Sequence, residues 1–230
     1  MMPMKPDAAL FDMDGLLIDS ERLSLQSFLA TCADHGLDDQ TPLFLSIVGS
    51  NEASLMAILD AAIGQQVDLP TFRADWAQRY HALIADGQVL LKPGVEELLE
   101  WLASEGVRMA VATSSAAPIA ALKLTRTGII KRFDFIVGGD MVRHSKPHPE
   151  IFLAAAAAIE ADTSRTLVFE DSFNGVKAGV AAGCTVFQVP DLVPPTAELL
   201  SLGHRVCDSL HHALAILKSA EYSFGNNVAG

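Results

Sequence analysis

Positive charge is scarce in this sequence. Sixteen Lys and Arg stand against 28 Asp and Glu, a net charge of −12 over 230 residues. No basic stripe is available to track a phosphate backbone, which argues against a nucleic-acid partner. No polybasic run offers a membrane anchor. Cysteine is scarcer still. Cys32, Cys184 and Cys207 lie far apart, with no C-x-x-C pair. That disfavours a zinc site or a disulfide framework and suits small buried thiols in a reducing compartment. No apolar run reaches the ~20 residues that cross a bilayer, and the run Ala154–Ile159 is far shorter. The proline-broken start, Met1 to Pro6, does not read as a signal peptide, and Glu221 to Gly230 reads as a frayed tail. Internal repeats are absent. These absences predict a cytoplasmic protein with no nucleic-acid or membrane partner, as a monomer or homodimer.

Apolar residues are plentiful, at 50% of the chain, and they are patterned. Short runs suited to strands fall at Ala8–Asp12, Val107–Ala112, Phe135–Val137, Leu167–Phe169 and Thr185–Val189, with a weaker one at Arg205–Cys207. Several are continuously apolar, as parallel strands covered on both faces require. Helical patterns alternate with them at Gly94–Ser104, Ala116–Thr127, Pro149–Ile159 and Asn174–Ala182. Pro93, Pro118 and Pro149 sit near helix starts, and Gly106, Gly128 and Gly183 follow helix ends. The alternation predicts an α/β fold, a doubly wound, Rossmann-like parallel sheet. One stretch departs from it. From Glu21 to Asp86 the periodicity is helical throughout, as in Phe72, Trp76, Tyr80 and Leu83. It predicts an inserted all-helical cap over residues 17–88, with the core at residues 1–16 and 89–230.

The chemistry-bearing residues collect at strand ends. The first strand stops at Asp12-Met13-Asp14-Gly15. Two carboxylates this close repel each other, so they call for a cation or a chemical role; taken alone, they serve equally as an ordinary turn cap. The second strand ends in Thr113-Ser114-Ser115, whose hydroxyls and N–H groups suit either a helix cap or phosphate oxygens. Lys146 lies between two stiffening prolines in Ser145-Lys146-Pro147-His148-Pro149, and a further strand runs into Glu170-Asp171. In an open α/β sheet all these ends share one crevice. Two acidic pairs, a hydroxyl cluster and a held lysine match metal-assisted phosphoryl transfer.

With these four motifs in this order, the chain resembles the haloacid dehalogenase superfamily of aspartyl-phosphate enzymes. Phe11 to Glu21 and Phe169 to Val176 are similar to the branch holding β-phosphoglucomutase, phosphoglycolate phosphatase, 2-deoxyglucose-6-phosphatase and pseudouridine-5′-phosphatase. That branch carries a helical cap between the first two core strands. The resemblance implies Asp12 as nucleophile and Asp14 as general acid and base. It implies Mg²⁺ held by Asp12, Asp171 and the main-chain carbonyl of Asp14, with Glu170 a direct or water-mediated ligand. Thr113 and Ser114 would hold the phosphoryl oxygens and Lys146 would offset their charge, while Asn174 would orient the metal shell or substrate. The implied substrate is a small phosphorylated metabolite: a sugar phosphate, phosphoglycolate or a nucleotide-like ester.

Within that resemblance, the second aspartate and the Glu170-Asp171 pair argue against a dehalogenase. The absence of lysine between Glu21 and Asp86 argues against a phosphonatase. A phosphosugar mutase of the β-phosphoglucomutase type is the alternative. Its cap-side histidine falls by register at Ser24, and the loop from Ile47 to Glu52 has no basic residue for a second phosphate. Ser20, Glu21, Arg22 and Asn51 are candidate rim residues of the substrate site.

Overall fold

The computed structural model describes residues 6–48, 50, 52–87 and 89–219. The expectations for Met1–Lys5, Gly49, Asn51 and the 221–230 tail concern residues outside that range. Six parallel strands form one sheet in the order β3-β2-β1-β4-β5-β6. They are β1 (Ala8–Phe11), β2 (Arg108–Ala112), β3 (Phe135–Val137), β4 (Thr166–Glu170), β5 (Thr185–Gln188) and β6 (Arg205–Val206). This is the order of the doubly wound fold, with the switch point beside β1. In register, Phe11 lies between Val111 of β2 and Phe169 of β4. The three central strands therefore run out at one level, and whatever follows each of them emerges into the same space.

Helices cover both faces of the sheet, which is why its strands are apolar throughout. One face packs under α5 (Val95–Ser104), α6 (Ala117–Arg126) and α10 (Leu210–Lys218). Phe11 and Phe169 stack there with ring centroids 4.9 Å apart. The other face packs under α7 (Glu150–Ala158), α8 (Phe173–Ala181) and the short α9 (Ala197–Leu200).

Between β1 and α5 come four further helices and, among the described residues, no core strand: α1 (Ser20–Asp34), α2 (Thr41–Ile47), α3 (Glu52–Ile63) and α4 (Leu69–Ala85). They enclose a second apolar core of Phe28, Phe44, Leu59, Ile63, Phe72 and Trp76. The Trp76 indole N–H donates to Ser27 Oγ at 3.1 Å, so its one polar atom is satisfied inside that core. This is the expected helical cap. The chain leaves and re-enters the α/β core through paired backbone. Ile18 bridges Leu91 antiparallel, and Asp19 N donates to Leu90 O at 2.8 Å. The near ends of α1 and α4 reach into the sheet's own core through Leu23 and Ile84.

Candidate active site

The carboxyl-terminal ends of β1, β2 and β4, and the loop after β3, deliver polar groups to one cleft. Asp12 follows β1 directly, and its N–H continues the ladder to Phe169 O at 3.0 Å. The chain then turns at Gly15, whose φ is +84°. A Cβ there would come within 2.4 Å of Asp171 Oδ2, so glycine is needed both for the turn and for the close approach of the second acidic pair.

Lys146 is the hub. Only 5% exposed, its Nζ donates to Asp12 Oδ1 at 2.5 Å, Glu170 Oε1 at 2.6 Å and Ala112 O at 3.0 Å. All three ammonium hydrogens are thus used. Its loop is pinned from behind by Glu150, which accepts from Arg143 N at 2.9 Å and His144 N at 3.0 Å. His144 Nδ1 lies 2.7 Å from the same carboxylate. His144 therefore shapes the loop and stays out of the cleft.

Glu170 is fully buried. Besides the lysine on Oε1, its Oε2 accepts from Asp171 N, Ser172 N and Ser172 Oγ at 2.9, 2.9 and 3.0 Å. Helix α8 sits on top of it: a Cβ on Gly175 would fall 1.7 Å from Glu170 Oε1. Asp171 is different. Among the described residues no cation touches its carboxylate. Burial, then Glu170, Asp12 and Glu21, raise its pKa well above the usual carboxylate range. Burial likewise pushes Asp12 up to about 7, with Glu170 adding to the rise and Lys146 opposing it.

Oxygens of Asp12, Glu170 and Asp171 lie within 4.8 Å of one another. Close by, Asp191 Oδ2 is buried without a hydrogen-bond partner. An all-oxygen, acidic, under-neutralised set of this kind fits a hard divalent cation such as Mg²⁺. Asp12 and Asp171 have the oxygens to give. Glu170 has spent most of its accepting capacity on protein donors.

Asp14 is held apart from this cluster. Its two oxygens accept from Lys123 Nζ at 2.6 Å and Ser115 Oγ at 2.7 Å. Burial would raise its pKa, but the Lys123 charge and these hydrogen bonds outweigh burial and hold it below the usual range. Lys123 itself is 2% exposed and lies 5.1 Å from the Tyr80 ring centre of the cap. The Asp12–Asp14 repulsion is thus divided between two lysines from different elements.

Thr113, Ser114 and Asn174 line the same cleft, of about 610 Å³, as do Asp12, Asp14, Lys146 and Asp171. Thr113 is buried and its Oγ1 accepts from Ser115 N at 3.1 Å, while Ser114 is exposed to the cleft. Of the rim candidates, Glu21 lines the cleft; Arg22 turns away to Asp19, with Nε to Oδ2 at 3.1 Å. Burial, with Asp14 and Asp191 nearby, pushes Glu21 up to about 7. Sequence reasoning missed Lys123 and Asp191. Lys123 carries a weak signal: it sits beside Ala120 and Leu124 on the buried stripe of α6, an unusual place for an unpaired lysine.

The family described as Haloacid dehalogenase-like hydrolase matches residues 9–189. A curated relative, the "Phosphorylated carbohydrates phosphatase" of Thermotoga maritima, is 34% identical over 179 residues, covering 77% of this chain and 82% of that protein. A HAD family hydrolase from Deinococcus radiodurans, solved with phosphate and sodium bound, superposes with a TM-score of 0.77 at 31% identity, over 96% of this chain and 97% of that one. A mutant of CbbY from Rhodobacter sphaeroides, solved with xylulose-(1,5)bisphosphate, superposes with a TM-score of 0.71 at 26% identity, over 89% and 95% of the two chains.

Proposed function

We propose that this chain, which belongs to the haloacid dehalogenase-like hydrolase family, is a Mg²⁺-dependent phosphatase of small phosphorylated carbohydrates working through an aspartyl-phosphate at Asp12. Its relatives mark it as a phosphoric monoester hydrolase. The observation that carries the finer reading is the convergence of Asp12, Lys146, Thr113, Ser114 and Asp171 on one cleft, with Lys146 already bonded to Asp12.

In this reading Asp12 and Asp171, with the main-chain carbonyl of Asp14, would hold Mg²⁺, which when bound offsets the phosphoryl charge and orients it in line. Thr113 and Ser114 hold the phosphoryl oxygens and Asn174 sits beside them. Asp12 attacks phosphorus through the carboxylate oxygen that Lys146 leaves free. Lys146 stabilises charge on Asp12 and on the phosphoryl group. Glu170 acts by orienting Lys146 and the start of α8; its direct contact with the ion is not part of the proposal. Asp14 moves protons. Bonded to Lys123 it is ionised, the state that accepts a proton from the attacking water. Donating one to the leaving oxygen requires release from Lys123. The cap, proposed at residues 17–88, would carry the walls that meet the rest of the substrate.

The test is phosphate release from a panel of phosphomonoesters, with Mg²⁺ and after chelation. The expected result is turnover of carbohydrate phosphates that chelator abolishes and Mg²⁺ restores. Turnover indifferent to chelator would remove the metal, and no release from any ester would remove the hydrolase reading. A phosphosugar and its bisphosphate activator separate hydrolysis, which frees phosphate, from mutase activity, which isomerises the sugar.

A further inference from the structure

The cap side of the cleft has no cation to offer. Residues 17–88 contain three arginines, no lysine and ten Asp and Glu. Every one of the arginines is already paired within the cap. Arg22 holds Asp19 at 3.1 Å, and Arg79 holds Asp34. Arg73 donates to Glu52 Oε1 and Oε2 at 3.0 and 3.2 Å, lying 4.7 Å over the Trp76 ring. Gly49 and Asn51 carry no charge by identity. Among the described residues lining the cleft the one lysine is Lys146, whose three hydrogens are spent on Asp12, Glu170 and Ala112 O; behind the lining, Lys123 is engaged by Asp14 and Lys92 by Asp191.

What the cap does present is Glu21, Ser50, the arginine-bound Glu52 and the apolar Val48 and Ala53. Among the described residues Glu21 makes no salt bridge; Asp14 and Asp191 crowd it from the core, and Lys123, which is bonded to Asp14, opposes them only in part. A second anion on the substrate would leave water, meet no free cation there and face Glu21, whose ionised form carries like charge. A hydroxyl is welcome at the same place. It can donate to a carboxylate and exchange hydrogen bonds with Ser50.

We propose that Glu21 and the cation-free cap wall restrict the substrate to monophosphates with an uncharged, polyhydroxylated leaving group, excluding a second phosphate or a carboxylate. This rests on the hydrolase reading above and narrows it. Phosphoglycolate and sugar bisphosphates become poor ligands, and the mutase alternative, which must seat a bisphosphate, is disfavoured by the same wall.

The test uses two matched pairs: glycerol 3-phosphate against 3-phosphoglycerate, and glucose 6-phosphate against glucose 1,6-bisphosphate. Each is measured with Mg²⁺ as kcat/KM on the wild type and as Kd by calorimetry on Asp12→Asn. The member of each pair without the second anionic group is expected to be favoured by roughly 10-fold or more, the scale of one like-charge contact at a few ångströms. The preference is expected to shrink as salt rises. Glu21→Gln is expected to narrow it. Ser50→Arg, which adds the missing cation to the cap wall, is expected to narrow it further even if the Glu21 variant folds poorly. Equal or better handling of the anionic members overturns the proposal. So does a preference that neither substitution moves. Failure of the wild type to hydrolyse any ester would overturn the hydrolase reading alone, because the Kd ratios still decide the charge preference.

Discussion

The two halves of this molecule bury their polar groups in opposite ways. The α/β core sinks Asp12, Lys146, Glu170 and Lys123 almost out of solvent and pairs each of them. The cap fills its interior with Phe28, Phe44, Phe72 and Trp76 and leaves its ion pairs near the surface, as with Glu52, whose side chain is 69% exposed beside Arg73. Buried charge pairs cost desolvation and return little stability over an apolar alternative. A protein keeps them where charge does chemistry. The contrast fits the proposed division, with bond-making in the core and discrimination in the cap.

Substitutions can break that division, beginning with the largest effect. Asp12→Asn is expected to abolish turnover while leaving thermal unfolding near that of the wild type. Asp14→Ala should lower kcat by roughly 10²–10⁴-fold, the range for lost acid–base help, with KM little changed. Both are read by steady-state kinetics beside a melting curve. An equally active Asp12→Asn would move the chemistry elsewhere.

Lys146→Met strikes stability and activity together. It leaves Asp12 and Glu170 buried and facing each other without their cation. Removing one partner of such a set costs about 3–5 kcal/mol, which urea denaturation would read. A variant as stable as wild type would mean the carboxylates protonate or relax at no cost, and the hub role would fall. Gly175→Ala is smaller. Its methyl must displace Glu170 or α8, and overpacking of this kind costs about 1–3 kcal/mol. Its kcat is expected to fall as well, because Glu170 orients Lys146. At the low end, Arg73→Ala on the cap should cost about 1 kcal/mol, from its ion pair with the exposed Glu52 and its stacking over Trp76. It should leave kcat intact on a minimal phosphate ester. A large fall in kcat there would blur the boundary between the two halves.

Much of this arrangement was legible in the sequence because the core writes its chemistry at the ends of apolar runs. Leu10-Phe11 stops at Asp12, and Val168-Phe169 stops at Glu170-Asp171, so the order of strands was enough to bring the motifs together. The helical cap was legible through the spacing of Phe72, Trp76 and Tyr80. Less was visible where two distant elements meet side by side. Lys123 reaches Asp14 only once α6 is laid on the sheet, and Asp191 comes near Asp171 only after β5 is placed beside β4. The sharing of Glu170 between Lys146 and the backbone of residues 171 and 172 is a matter of register within ångströms. The short α2 and the final α10 went unread, although Leu210, Ala213, Leu214 and Leu217 of α10 do recur at helical spacing.

The central claim is that a covalent phosphoryl group resides on Asp12 during turnover. The most direct measurement is rapid quenching of the working enzyme, borohydride reduction of any acyl phosphate, and peptide mass spectrometry across Ala8–Gly15. Conversion of residue 12 to homoserine is expected, dependent on substrate and Mg²⁺ and enriched in Asp14→Ala. Full turnover with residue 12 unmodified at every quench time, or modification at another carboxylate, would contradict it.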